Sequence, residues 1–114
     1  MIIRKENINT TSEYNSKGEE KLYLSDLTAF PDINPKIRMY ALAELKPGEE
    51  VEFHTHTDEC ELYYILSGEG VYDDNGKEYE VQAGTVTHTP SGSGHGIRNT
   101  GNEMLKFMAL IIRD

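Results

Sequence analysis

The sequence predicts an all-β fold of sandwich or barrel type. Short runs rich in β-branched and aromatic residues recur between Gly, Pro and Asn-Gly turn signals. Several of these runs alternate apolar and polar side chains with period two, and no long segment carries an apolar stripe at helical spacing. With 114 residues, the chain is expected to form one domain, 1–114, around one modest core.

The residues before 36 are the least patterned. Positions 6–20 are polar and charged, broken by Asn7, Asn9, Asn15, Ser16 and Gly18, and read as a loop with a short strand before it. Lys21-Leu22-Tyr23-Leu24 reads as a strand, followed by an irregular stretch punctuated by Pro31 and Pro35. The pattern sharpens over 36–45, where Ile37, Met39, Ala41, Ala43 and Leu45 share one parity. That predicts a strand with one inward face, turned at Lys46-Pro47-Gly48.

In the next run, Glu52, His54 and His56 share a face and Phe53 lies opposite. Glu61-Leu62-Tyr63-Tyr64-Ile65-Leu66 reads as a neighbouring strand. Asn75-Gly76 suits a two-residue turn with positive φ at both positions, which would set Asp74 opposite Lys77 as a charge pair and Tyr72 opposite Tyr79 as an aromatic pair. Residues 84–96 are turn-rich. The last strand, 104–112, is apolar on both parities apart from Lys106, so both of its faces need cover.

Composition excludes several classes of partner. Twenty acidic residues against eleven basic ones give a formal charge of −9, which repels nucleic acid and anionic lipid at long range. No apolar run reaches the length of a membrane span, and Met1-Ile2-Ile3-Arg4-Lys5 falls short of a secretory apolar segment. Cys60 is the single cysteine and cannot form an internal disulfide. The expected location is cytoplasmic.

Chemistry concentrates in two stretches. His54 and His56, two residues apart in a strand, can hold one metal ion together, and Glu61 on the returning strand can bring a carboxylate to it. The second stretch, 84–99, holds His95 among turn residues. Together they resemble the cupin superfamily, whose motifs are G-x5-H-x-H-x3,4-E-x6-G and G-x5-P-x-G-x2-H-x3-N. The first is filled over 48–68 by Gly48, His54, His56, Glu61 and Gly68; the second over 84–99 by Gly84, Pro90, Gly92, His95 and Asn99; fifteen residues separate them. The resemblance implies a jelly-roll β-barrel with His54, His56, Glu61 and His95 directed at a divalent transition metal, one of Mn, Fe, Ni, Zn or Cu. Such a set leaves open positions for water or substrate on a six-coordinate ion.

Other residues carry plainer readings. His88 reads as a surface or packing residue with a supporting role at the metal as the alternative, and Cys60 as a thiol of opposite parity to Glu61. Asp58 and Glu59 read as solvated loop acids with substitution for Glu61 as the alternative, Glu52 as the acid of its cluster that points inward, and Arg98 as a surface residue with a place near the mouth as the alternative. Parity also predicts a small pocket bounded by Met39, Ala41, Tyr63, Phe107 and Ala109.

The resemblance implies two kinds of function. One is a metal-dependent enzyme of dioxygenase, decarboxylase or isomerase type acting on a small anionic or oxygen-rich molecule, with Glu52, Tyr63 and His88 as the few acid–base candidates. The other is a non-catalytic barrel that binds a small molecule. Three neutral histidines and one carboxylate around a dication leave a local charge of about +1, which favours a compact bidentate acid despite the acidic surface. The apolar second face of the last strand needs cover from the N-terminal strand or from a partner chain, and together with the resemblance this predicts a homodimer.

Overall fold

The computed structural model describes residues 1–28 and 33–114, so Pro31 lies outside the described residues. Among the described residues, ten strands form two antiparallel sheets: β1 (Thr10–Tyr14), β2 (Glu20–Asp26), β3 (Ile37–Leu45), β4 (Glu50–Thr55), β5 (Glu59–Ser67), β6 (Glu69–Asp74), β7 (Lys77–Gln82), β8 (Val86–Thr89), β9 (Gly94–Asn99) and β10 (Leu105–Arg113). A six-stranded sheet runs β1-β2-β3-β10-β5-β8, and a four-stranded sheet runs β4-β9-β6-β7. Successive strands repeatedly change sheet, as in a jelly roll. The two sheets are not joined into one closed barrel.

Alternation in β3 follows the expected parity, with Ala41, Ala43 and Leu45 buried and the residues between them more exposed. β10 is the central strand, paired to β3 on one side and β5 on the other. Its Leu105, Phe107, Ala109 and Ile111 are buried between the sheets, joining Leu22, Ile65, Val81 and Ile97 in the core. Its other parity, Met108, Leu110 and Ile112, is only half-buried and faces away from the core. At the end of the sandwich away from the histidines, Asn99 fixes the connections between strands. Its Nδ2 donates to the carbonyls of Leu45 and Glu103, and its Oδ1 accepts from Gly101. That accounts for an amide buried at 1% exposure in a core strand.

Three expectations need correction. The stretch 6–20 is not a loop: it holds a short 3-10 turn at Lys5–Asn7 and then β1, which pairs along β2 and draws its regularity from that neighbour rather than from its own sequence. The Asn75-Gly76 turn forms, with φ of 53° and 100°, and sets Asp74 opposite Lys77 and Tyr72 opposite Tyr79. The side chains choose other partners, however. Lys77 Nζ lies over the Tyr79 ring at 5.4 Å, and Tyr72 turns into the core against Tyr63 and His95. In β4 the register slips between Val51 and His54, so Val51 packs against the core and His54 also points inward, three residues on. The bulge leaves Glu52 exposed instead of on the inward face.

Candidate metal centre

Strand pairing brings the four expected ligands together from both sheets. His54 on β4 lies directly across from His95 on β9, His56 follows the end of β4, and Glu61 enters from β5 in the opposite sheet. One ligand atom from each of the four lies within 4.8 Å of every other. The Nε2 atom of His56 is 3.2 Å from that of His54 and 3.1 Å from that of His95. Glu61 Oε1 is 2.9 Å from His56 Nε2, 2.8 Å from His95 Nε2 and 4.0 Å from His54 Nε2. The three rings meet edge to face, with interplanar angles of 62° to 73°, so their Nε2 lone pairs converge rather than stack.

The far nitrogens explain the tautomers. His54 Nδ1–H donates to the carbonyl of Glu52 at 2.8 Å, an acceptor created by the β4 bulge. His56 Nδ1–H donates to Glu59 Oε2 at 2.7 Å. His95 Nδ1 is bonded to the Tyr72 hydroxyl at 2.8 Å, which is in turn bonded to Thr89 Oγ1 at 2.8 Å. With Nδ1 protonated on His54 and His56, their Nε2 atoms carry lone pairs, and these face one another and a carboxylate. Burial pushes the His54 pKa down and keeps that imidazole neutral. Such an arrangement of lone pairs calls for a cation. Metal–nitrogen bonds of about 2.1 Å at right angles place neighbouring donors about 3 Å apart, which the short separations match. The residues present therefore fit a divalent transition metal.

The expected parity holds at Tyr63 but not everywhere. Tyr63 is buried on the inward face of β5, stacked on His95 with ring centres 4.9 Å apart and resting on Phe107 at 4.4 Å. Burial, reinforced by the Glu61 charge, raises its hydroxyl well above the ordinary phenol range, so it holds its proton. A cavity of about 520 Å³ opens beside His54, His56 and Glu61, and Met39, Tyr63, Phe107 and Ala109 help to line it. Ala41 is fully buried but does not reach it; Ala43, one residue pair along β3, does. The cavity is roomier than the small pocket expected from parity. His88 is exposed between the buried Thr87 and Thr89, on the far side of β8. Cys60 is half-buried with parity opposite to Glu61, and Arg98 is exposed, 3.9 Å from Glu78.

The sequence reading missed the partners behind the ligands. Glu59 is not a solvated loop acid. It begins β5 and shares the parity of Glu61, a signal already present in the spacing. Arg38 Nε and Nη2 donate to its two oxygens at 2.7 and 2.8 Å, a forked pair that holds the carboxyl below its ordinary pKa. His56 is thus backed by an ionised carboxylate clamped from β3, whereas His54 has a backbone carbonyl and His95 a phenol. Tyr72 and Thr89 gave no comparable signal, because their meeting depends on how the two sheets stack.

Residues 41–111 match the family model described as Cupin domain. The chain belongs to the cupin family. This cupin is 41% identical over 113 residues to the Oxalate-binding protein of Thermotoga maritima, covering 98% of the chain and 93% of that protein. It is 31% identical over 99 residues to Oxalate decarboxylase OxdC of Bacillus subtilis, covering 82% of the chain and 25% of that longer protein. Among solved structures it resembles a predicted oxalate decarboxylase from Thermotoga maritima, with a TM-score of 0.89, 39% identity and complete coverage of both chains. It also resembles the Cnp3 cupin domain of Schizosaccharomyces pombe at a TM-score of 0.74 over 94% of this chain and 88% of that one; at 17% identity this speaks to the fold alone. No helix among the described residues is long and apolar enough to cross a membrane.

Proposed function

We propose that this cupin holds one divalent transition metal through His54, His56, Glu61 and His95 and uses it as a metal-dependent enzyme on a small, oxygen-rich acid. The observation that carries this reading is the convergence of three Nε2 lone pairs and one carboxylate oxygen, two of the imidazoles with their Nδ1 protons committed elsewhere. Dioxygenase, decarboxylase and isomerase chemistry all fit such a centre. The metal, when bound, supplies Lewis acidity toward an oxygen donor of the substrate. The chain's own residues do the rest. Glu59 and the Glu52 carbonyl hold two imidazoles in the ligating orientation, and Phe107 with Ala109 keeps bulk water from one wall. Tyr63 keeps a proton beside the site and offers a hydrogen-bond donor rather than a base.

That distribution of groups also favours a second reading, a non-catalytic binding barrel. Of the three acid–base candidates, Glu52 is exposed at the cavity rim, His88 is on the outer side of β8 and Tyr63 is held protonated, so none of the three is a free base beside the ligands. The name of the Thermotoga maritima relative points the same way. Compact acids with two adjacent oxygen donors are the ligands proposed under both readings. A homodimer belongs to the same proposal, because Tyr40, Tyr64, Leu66 and Val86 join the outer parity of β10 in an exposed apolar face.

The test is metal content. Protein purified from rich medium is expected to carry close to one metal per chain by elemental analysis, and replacing His54 and His56 together with alanine is expected to abolish it. Near-stoichiometric metal in the double variant would overturn the assignment. Loading with manganese and recording the electron paramagnetic resonance spectrum against a panel of 2-oxo acids, 2-hydroxy acids and dicarboxylates then tests the ligand class, since unchanged spectra across the panel at millimolar concentration reject an acid-binding centre.

A further inference from the structure

The cavity is the wrong size for oxalate alone. At about 520 Å³ it lies in the range that takes extended organic ligands, about 300–1,000 Å³. Even if each non-hydrogen atom of oxalate were given the roughly 30 Å³ of a water molecule, the anion would fill about a third of it. The remaining space is bounded partly by polar Glu13, Asn15, Ser16, Lys21 and Arg38 and partly by apolar side chains, and the apolar part is ill suited to water. Leu22 and Leu24 from β2, Met39 from β3, Val51 from β4, and Phe107 and Ile111 from β10 line it, and ordered water needs two to four polar partners.

Donor supply divides the lining in two. Oxalate chelating through one oxygen of each carboxylate would turn its two outer oxygens into the cavity, where each needs a hydrogen-bond donor. Lys21, Arg38, Asn15, Ser16 and the Tyr63 hydroxyl can donate to such oxygens, whereas Leu22, Leu24, Met39, Val51, Phe107 and Ile111 cannot. Alkyl carbon in the same place needs no donor and gains free energy by leaving water.

We propose that this cupin selects acids with a chelating head and an apolar tail, such as 2-oxo or 2-hydroxy acids with branched-alkyl or aromatic side chains, over oxalate. The inference rests on the metal reading above: the head occupies the open positions at the four-ligand cluster, and the tail lies along the wall made by β2, β3, β4 and β10. Leu24, half-buried on that wall and remote from the ligating atoms in sequence, is a specificity-determining residue.

The experiment is calorimetric titration of the manganese-loaded full chain with oxalate, pyruvate, 2-oxobutanoate, 2-oxopentanoate, 4-methyl-2-oxopentanoate and 3-phenyl-2-oxopropanoate. Each added methylene is expected to tighten binding about fourfold, the equivalent of ~0.8 kcal/mol per buried CH2. L24N is expected to flatten that series. Because the series is run on the unaltered protein, a poorly folded variant does not decide the matter. Affinity that is flat or falls with tail length, with oxalate tightest, would overturn the tail site while leaving the metal-centred acid site standing. Failure of every acid, oxalate included, to bind the metal-loaded protein would overturn both.

Discussion

Glu59 offers the sharpest test of how the centre is held. Its carboxylate accepts three short hydrogen bonds, two from Arg38 and one from His56, and His56 is only 5% exposed. Glu59→Ala strands the Nδ1–H of a buried imidazole and frees the ring to rotate. Glu59→Gln keeps one oxygen for His56 but turns an NH2 toward the guanidinium, so the clamp from β3 is lost while the orienting bond survives. Partners of metal-bound histidines contribute about 10- to 100-fold in metal affinity, which is about 1.4–2.7 kcal/mol. The alanine variant is expected near the upper end and the glutamine variant near the lower. Competition against a chromogenic chelator measures both. If the two variants bind metal within about threefold of the parent, the Arg38–Glu59 pair does not support the centre. The same pair sets a pH dependence. Arg38 depresses the folded pKa of Glu59, so its contribution to the stability of the metal-free protein is complete above the ordinary glutamate range and is lost as pH falls through the lower folded value. Arg38→Met is expected to remove that acid-side slope from denaturation curves measured across pH 3 to 6, a range on the order of the carboxylate titration.

Tyr72→Phe leaves His95 Nδ1 and Thr89 Oγ1, both in residues at 0% exposure, without the hydroxyl they share. Two stranded polar atoms are expected to cost about 2 kcal/mol or more in urea unfolding, and a loss below about 0.5 kcal/mol would mean that the pocket rearranges to satisfy them. For the outer face of β10, light scattering of the parent at micromolar concentration is expected to give twice the chain mass. Leu110→Glu, placed between Tyr40 and Leu62 in the register, is expected to give the single-chain mass; a monomeric parent would reject the dimer.

The fold class was legible because the strands that bury one face announce it. Ile37 through Leu45 alternates, and Asn75-Gly76 can hardly be anything but a tight turn. The ligands were legible for a related reason, since His54, His56 and Glu61 are close in sequence and the motif spacing ties His95 to them. What was not legible depends on deviations from regular geometry or on long-range stacking. The β4 bulge moved Glu52 out and gave His54 its carbonyl acceptor, and nothing in the alternation of residues 50–56 marks where a strand takes an extra residue. β1 was hidden because an edge strand with one neighbour needs little apolar content. Cavity size depended on Leu22, Leu24 and Val51, contributed by strands whose inward faces could not be assigned without knowing which sheet each strand joins.

The placement of Glu61 on one sheet and the three histidines on and beside the other gives the molecule two unlike ends. One end is shut by Leu45, Ile65, Leu105 and the thrice-bonded amide of Asn99. The other is a pair of lips joined by the His56–Glu59 and Tyr72–Thr89 hydrogen bonds, between which the four ligand atoms leave a place for positive charge. An ion held there would act as a clasp on a purse hinged at the Asn99 end, and its withdrawal would loosen the lips without disturbing the hinge. Amide hydrogen exchange is therefore expected to quicken on chelation along β4 and the start of β9, and to stay slow in β10, so that the protein's looseness at one end becomes a readout of the metal around it.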